Sequence, residues 1–275
     1  MDFEAAAAYA DRYAPHALVV RRGRRVVFER YAAGYDGDKP HALYSGTKAF
    51  WGVLALRAQD DGLLELDEPV ARTVESWRDD ERKARVTLRE LLQLTSGIGF
   101  GGLGNAVPTY DKALAVAIKD PPGSVFTYGG IPLQVFGAVL ARKLAGRGLT
   151  PHAYLRERVL GPAGVAVASW RTLKDGTQPL PTGAFLTAHD WLRWGAYVSG
   201  ARAELAACFA GSAANPRYGL AWWLSPLASH PDIVYASGAG GQALYLVPSE
   251  DSVVVRFGAP ASFKHDAFLK RLLPT

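Results

Sequence analysis

The chain has 275 residues, of which 49% are hydrophobic and 21% charged, enough to bury a sizeable core in one large domain or two closely packed lobes. Its net charge of +5 would admit a polyanionic partner. However, the basic residues are scattered, the densest run "RRGRR" (21–25) reads as a solvated hairpin turn, and no zinc-finger, homeodomain or RNP pattern occurs, which sets a nucleic-acid role aside. One cysteine, Cys208 in the apolar "AELAACFAG", excludes an intrachain disulfide and reads as a buried inert thiol, and no run approaches the roughly 18 apolar residues of a membrane helix.

Residues 2–13 read as an acidic amphipathic helix without the basic start and long apolar stretch of a signal peptide. That points to a cytoplasmic protein, or to a periplasmic one if a leader has been removed. "ALVVRRGRRVVFERY" (17–31) reads as two strands around a turn at Gly23, and residues 45–61 as a long buried helix stopped by Gly62. "TLRELLQLTSG" (87–97) is a second helix with Thr87 as N-cap and Glu90 at capping-box spacing. A Gly-rich loop (98–109) and a short helix (110–118) follow, then helices at 131–148 and 151–164, a turn-rich stretch (165–186) and a helix at 188–200. The remainder changes character: "YGLAWWLSP", "DIVYASG", "QALYLVPSE" and "DSVVVRFG" are short β-rich runs, and "SFKHDAFLKRLL" is an amphipathic helix. Strands from both ends of the chain are therefore expected to join one sheet, roughly residues 1–44 and 215–275, with residues 45–214 as a helical lobe on one side.

The chemistry starts at "YSGTKAFWGVLAL". Ser45 and Lys48 stand at i and i+3, so on a helix they share a face. A cation in the first turn of a helix opposes the dipole, which is explicable if the serine needs it. Ser45 at the helix start would have its alkoxide favoured, and Lys48, pressed against apolar neighbours, would lose affinity for its proton and act as a base. Alone, this tetrapeptide is equally a capping serine beside a solvated lysine.

It does not stand alone. "TLRELLQLTSGI", "PPGSVFTYGGIPLQVFGAVLARKLAG", "YGLAWWL" and "ASGAGGQALYLVPSEDSVVVRFG" follow in an order that resembles the serine β-lactamase-like hydrolases. That superfamily comprises class C β-lactamases, penicillin-binding carboxypeptidases, family VIII esterases and 6-aminohexanoate-dimer hydrolases. The resemblance runs from the hairpin before Ser45 to the last strand. It implies a single catalytic domain of α+β, β-lactamase/transpeptidase-like fold: an antiparallel sheet flanked by terminal helices, a helical lobe, and a cleft between. It also implies Ser45 as nucleophile, Lys48 as its base, and Tyr128 as a proton relay made possible at neutral pH by the charge of Lys48. The backbone N–H groups of Ser45 and Ala239 would form the oxyanion hole. Ser237, Gly238, Gly130 and Trp170 would contact substrate, with Gly238 leaving room for it along the strand edge.

Two departures from the family pattern bear on substrate. Gly130 stands where an asparagine is usual, and Ala236 where a lysine or histidine is usual, so the polar anchors for a β-lactam or D-alanyl peptide are missing. Trp170, Trp222, Trp223 and Tyr110 are candidates for an apolar acyl or alcohol pocket, with core packing the competing reading at each. "GFGGLG" (99–104) matches a dinucleotide fingerprint in letters only, because it neither follows a strand nor opens a helix, and it reads as a rim loop. The histidines at 16, 41, 152, 189, 230 and 265 lack metal-site spacing, so neither metal nor cofactor is expected. The expectation is a serine hydrolase acting through an acyl-enzyme on a small ester or amide. The alternatives are a β-lactamase or D-amino-acid peptidase on the same scaffold, and a weakly catalytic binding or sensor module. Nothing in the sequence fixes the oligomeric state.

Overall fold

The structure is a computed structural model that describes residues 1–259 and 262–273. Helix α1 (Phe3–Ala10) starts at Asp2, whose carboxylate accepts from the Ala5 N–H at 2.9 Å. Strands β1 (Pro15–Arg22) and β2 (Arg25–Tyr31) form the expected hairpin around Gly23, which has the positive φ (56°) such a turn requires. Then come β3 (His41–Ala42), a 3₁₀ turn (Tyr44–Lys48) and α2 (Ala49–Asp60). The lobe continues through α3 (Leu88–Leu92), α4 (Tyr110–Leu114), α5 (Ile131–Leu144) and α6 (Pro151–Leu155). Strands β4 (Ser169–Trp170) and β5 (Ala184–Leu186) lead to α7 (Ala188–Gly200), and β6 (Trp223–Leu224), β7 (Val234–Gly238), β8 (Gln242–Val247), β9 (Ser252–Gly258) and α8 (His265–Leu272) complete the chain.

The main sheet is antiparallel throughout, in the order β2-β1-β9-β8-β7-β6, so the early hairpin is zipped onto the last strand as expected. Its two faces follow from strand alternation. Leu18 and Val20 on β1, with Tyr245 and Val254, pack against Ala6, Ala10, Phe268 and Leu272 of the terminal helices. Ala17, Val19, Leu244 and Val255 face the opposite way, into the larger core shared with α2 and α7. Helix α7 lies close on β8 and β9 because Gly195 carries no Cβ to meet Val253 and Leu244. α1 and α8 are tied directly, the Asp2 N–H donating to the Leu272 carbonyl at 2.8 Å.

Several elements differ from the sequence reading. The helix expected from residue 45 begins at Ala49, and Tyr44–Lys48 is a tighter 3₁₀ turn. The helix expected over 151–164 gives way after Leu155 to a π turn (Arg156–Leu160). "YGLAWWLSP" contributes only two strand residues. A second sheet, β3-β5-β4, comes partly from the stretch read as turns; strands of two or three residues leave no periodicity to detect.

His189 at the start of α7 joins three segments, with Nε2 2.9 Å from Glu29 Oε1 and Nδ1 3.0 Å from Asp38 Oδ1. Two carboxylates can both accept only from the imidazolium, and the Glu29 hydrogen bond is the largest influence raising the His189 pKa above 6.5. A raised folded-state pKa contributes stability that is complete below the unfolded value and is lost as pH climbs through the folded one. We expect His189→Gln to lower the urea midpoint at pH 6 and to converge on wild type as the pH is raised through that range. The effect should stay below about 1 kcal/mol for a partly exposed pair, and a pH-independent difference would refute the charge assignment.

Candidate active site

Strand β3 delivers the chain to the Ser45 turn, where the Leu43 N–H donates to the Ala184 carbonyl at 3.0 Å. Tyr44 then adopts φ +48°, a left-handed conformation that costs a non-glycine residue on the order of 1–2 kcal/mol. The reversal starts the 3₁₀ turn. With three residues per turn, positions i and i+3 eclipse, so Ser45 and Lys48 fall on one line. Lys48 Nζ lies 2.8 Å from Ser45 Oγ and 3.2 Å from the Pro181 carbonyl, and the side chain is only 1% exposed. Burial, with no carboxylate beside it to compensate, pushes its pKa down to about 7.

The Pro181 carbonyl is held by a chain of bonds through the stretch that read as turns. Trp51 Nε1–H donates to the Leu180 carbonyl at 2.6 Å. Gln134, fully buried on α5, accepts from the Leu180 N–H at 2.8 Å and donates to the Pro108 carbonyl at 2.7 Å. Tyr128 is placed by the two glycine-containing motifs packing together: the Thr127 N–H donates to the Leu94 carbonyl at 2.9 Å and the Gly123 N–H to the Thr95 carbonyl at 2.8 Å. A side chain at Gly97 would collide with the Asp120 carbonyl, which explains that glycine.

Lys48 Nζ sits over the Tyr128 ring, 4.9 Å from its centroid. The expectation that Lys48 lowers the phenol's pKa is not met. Burial is the larger influence and raises it, with only a hydrogen bond to Ser45 acting in the opposite direction. Lys48 is thus the group that titrates near neutrality, while Tyr128 stays protonated.

Ser45, Tyr128, Ser237, Gly238 and Ala239 meet in one cleft of about 530 Å³. Trp223 stacks between Tyr128 (5.6 Å, 24°) and Tyr235 (6.3 Å, 21°), giving the cleft an aromatic wall. Gly238 has a different reason from the one expected. A Cβ there would collide with the Leu43 carbonyl, so the glycine lets β7 press against the Ser45 turn, bringing Ser45 and Ala239 to the same cleft. Ala239 is fixed from behind by buried Gln242, whose Nε2 donates to the Ala239 carbonyl at 2.9 Å and to the Gly258 carbonyl at 2.7 Å.

Two expected substrate contacts lie elsewhere. Gly130 is covered by the rim loop, its N–H donating to the Gly101 carbonyl at 2.9 Å, and a Cβ would collide with the Gly102 carbonyl. Trp170 packs against Phe50, Trp51 and His152, with its indole N–H on the Pro179 carbonyl, and borders a separate groove. Trp222 is fully buried and donates to the Ala49 carbonyl, leaving Trp223 as the tryptophan at the cleft. The loop 99–104 does form part of the rim, through Leu103 and Gly104. His265, 28 residues after Ser237, also reaches the cleft, and no local sequence signal announces it.

A sequence profile described as Beta-lactamase matches residues 6–261. The chain belongs to the Beta-lactamase family. Among curated relatives of this family member, the monacolin J acid methylbutanoyltransferase of Aspergillus terreus is 29% identical over 157 residues, 46% of this chain and 37% of that protein. The match therefore spans little more than a third of the relative's length. Solved structures confirm the β-lactamase/transpeptidase-like fold. EstCE1, described as a hydrolase with promiscuous acyltransferase activity, superposes with a TM-score of 0.78 at 17% identity, covering 98% of this chain and 96% of its own. A D-stereospecific amidohydrolase from Streptomyces sp. gives 0.76 at 16% identity, covering 98% of each chain. Proteins of this fold thus include hydrolases, one of them with acyltransferase activity. No described helix is long and apolar enough to cross a membrane.

The buried lysine has a measurable thermodynamic signature. With a folded pKa near 7 and an unfolded value near 10.5, folding expels a proton between those limits, so burial of Lys48 destabilises fully below pH 7 and ever less as pH rises to 10.5. We expect Lys48→Met to raise the thermal midpoint at pH 6.5 and the gain to shrink steadily towards pH 10. A gain that does not vary with pH would contradict the depressed pKa. Gly130→Ala should destabilise by about 1–3 kcal/mol in urea unfolding, the usual range for overpacking. A neutral result would mean the rim loop yields freely.

Proposed function

We propose that the protein is a serine hydrolase that turns over small uncharged esters, or amides of similar size, through an acyl-enzyme. The observation that carries this is Lys48: almost fully buried, 2.8 Å from Ser45 Oγ, and with a pKa lowered to about 7, so that a large fraction is neutral at pH 7. A neutral amine accepts the Ser45 proton while keeping a donor for the Pro181 carbonyl. Ser45 Oγ then forms a bond to the substrate carbonyl carbon, and the oxygen gains the electron pair of the C=O π bond. The Ser45 and Ala239 N–H groups stabilise this oxyanion. Collapse breaks the bond to the leaving group, which takes a proton from the Tyr128 hydroxyl, and the phenolate so formed takes back the proton that the Lys48 ammonium carries. Water, deprotonated by the same path in reverse, releases the acid and restores Ser45.

A second acceptor is supported by two relatives named for acyl transfer and by the aromatic wall of the cleft, which would hold an alcohol against the acyl-enzyme. In that case the alcohol oxygen replaces water in the last step and an ester is the product. A β-lactam or D-alanyl peptide fits less well. The position of the usual asparagine is filled by backbone and Ala236 supplies no cation, so the ligand's carboxylate and amide would be buried unpaired, at about 1–3 kcal/mol for the amide alone and more for the charge.

We expect Ser45→Ala to abolish turnover of p-nitrophenyl butyrate and labelling by a fluorophosphonate, with folding retained. kcat/KM should rise with pH through a limb near 7, the Lys48 value, because the base must be neutral. The butyrate ester should exceed nitrocefin in kcat/KM by at least about 100-fold, or nearly 3 kcal/mol of transition-state binding. Adding an alcohol should divert acyl groups to a new ester if transfer competes with hydrolysis. Label on Ser96 or Ser237 instead of Ser45, or efficient nitrocefin turnover, would overturn this reading.

A further inference from the structure

Next to the aromatic wall, where His265 and Tyr245 pack on Tyr235 with ring centroids 5.1 and 5.7 Å away, three side chains form a hydrogen-bonded chain that the acylation machinery does not use. Ser237 Oγ is 2.9 Å from His265 Nε2, and His265 Nδ1 is 2.7 Å from the Tyr245 hydroxyl. Tyr245 is fully buried, and among the described residues His265 is the partner of its hydroxyl. A buried phenol whose hydrogen finds no acceptor is costly, so the satisfied arrangement has the Tyr245 O–H donating to Nδ1. That fixes the proton of a neutral imidazole on Nε2, which then donates to Ser237 Oγ. The Ser237 oxygen is thereby occupied as an acceptor and its own hydrogen is left to donate into the cleft.

His265 adds no charge at this end. Burial pushes the His265 pKa down to about 4, so the ring is neutral in the working range. The Arg256 guanidinium, nearby and fully buried, is committed to the Gly240, Gly241 and Tyr13 carbonyls at 2.7–3.0 Å. Ala236 offers no cation. A carboxylate placed here would find Arg256 already tied to carbonyls and would have to draw on the exposed Arg217, which acts on Tyr235, whereas an ether, keto or hydroxyl oxygen asks only for one donor.

We propose that Tyr245 and His265 are positioning residues that hold the Ser237 hydroxyl as a directed hydrogen-bond donor, so that the cleft selects esters carrying a second, uncharged acceptor oxygen. This rests on the acyl-enzyme reading of Ser45, and the test separates the two. Two matched pairs differ by one CH₂-to-O exchange: p-nitrophenyl 3-methoxypropanoate against pentanoate on the acyl side, and 2-methoxyethyl acetate against butyl acetate on the alcohol side. Each kcat/KM is divided by the hydroxide rate of the same ester. We expect the oxygen-bearing member of at least one pair to be favoured about three- to tenfold, the range of one neutral hydrogen bond. That preference should vanish in Ser237→Ala and in Tyr245→Phe, whatever either change does to the hydrocarbon member. ¹⁵N spectra of wild-type protein should show His265 as the Nε2–H form. The reverse tautomer, no preference in either pair, or equal losses on both members of a pair would overturn the inference while leaving Ser45-dependent turnover standing. Absence of Ser45-dependent turnover of all four esters would sink the functional reading and this inference with it.

Discussion

The site depends on a lysine kept away from water. A charged amine in a near-waterless setting is costly, and the protein provides no carboxylate to offset it, only Ser45 Oγ and one carbonyl. That cost brings the amine's pKa down to about 7, which is what the proposed role of Lys48 as a base towards Ser45 requires. Folding stability is the source of that shift: Lys48 is held almost fully buried behind Ser45, at the base of the cleft.

Much of the surrounding architecture serves to hold that arrangement. The left-handed Tyr44 and the 3₁₀ turn align the serine with the lysine, and the bare Gly238 lets β7 close over the turn. Gln134 and Trp51 steady the segment bearing Pro181, and Gln242 steadies Ala239. These groups come from both ends and the middle of the chain. The sheet order, with the early hairpin paired to the final strand, is what brings them within reach of one another.

How far this could be read in the sequence differs by feature. The hairpin, the capped α3, the terminal helices and the proximity of Ser45, Lys48 and Tyr128 are legible, because each rests on a local pattern or on motifs of fixed spacing. What escaped rests on long-range packing. Nothing near Gly130 announces that the Gly102 backbone fills its side-chain space, and Trp170 carries no mark of the groove it borders. His265 meets Ser237 only because α8 lies across the sheet. The direction of the Tyr128 shift was misjudged for a related reason: sequence places a cation near the phenol but does not reveal how thoroughly both are buried.

The most direct test is the titration of Lys48 itself in the resting protein. With ¹³C-labelled lysine and Lys48→Met to assign the resonance, the Cε chemical shift should follow a single titration centred near pH 7, while the other lysines titrate near their ordinary values. A Lys48 signal that remains protonated until pH 10 would contradict the account at its base.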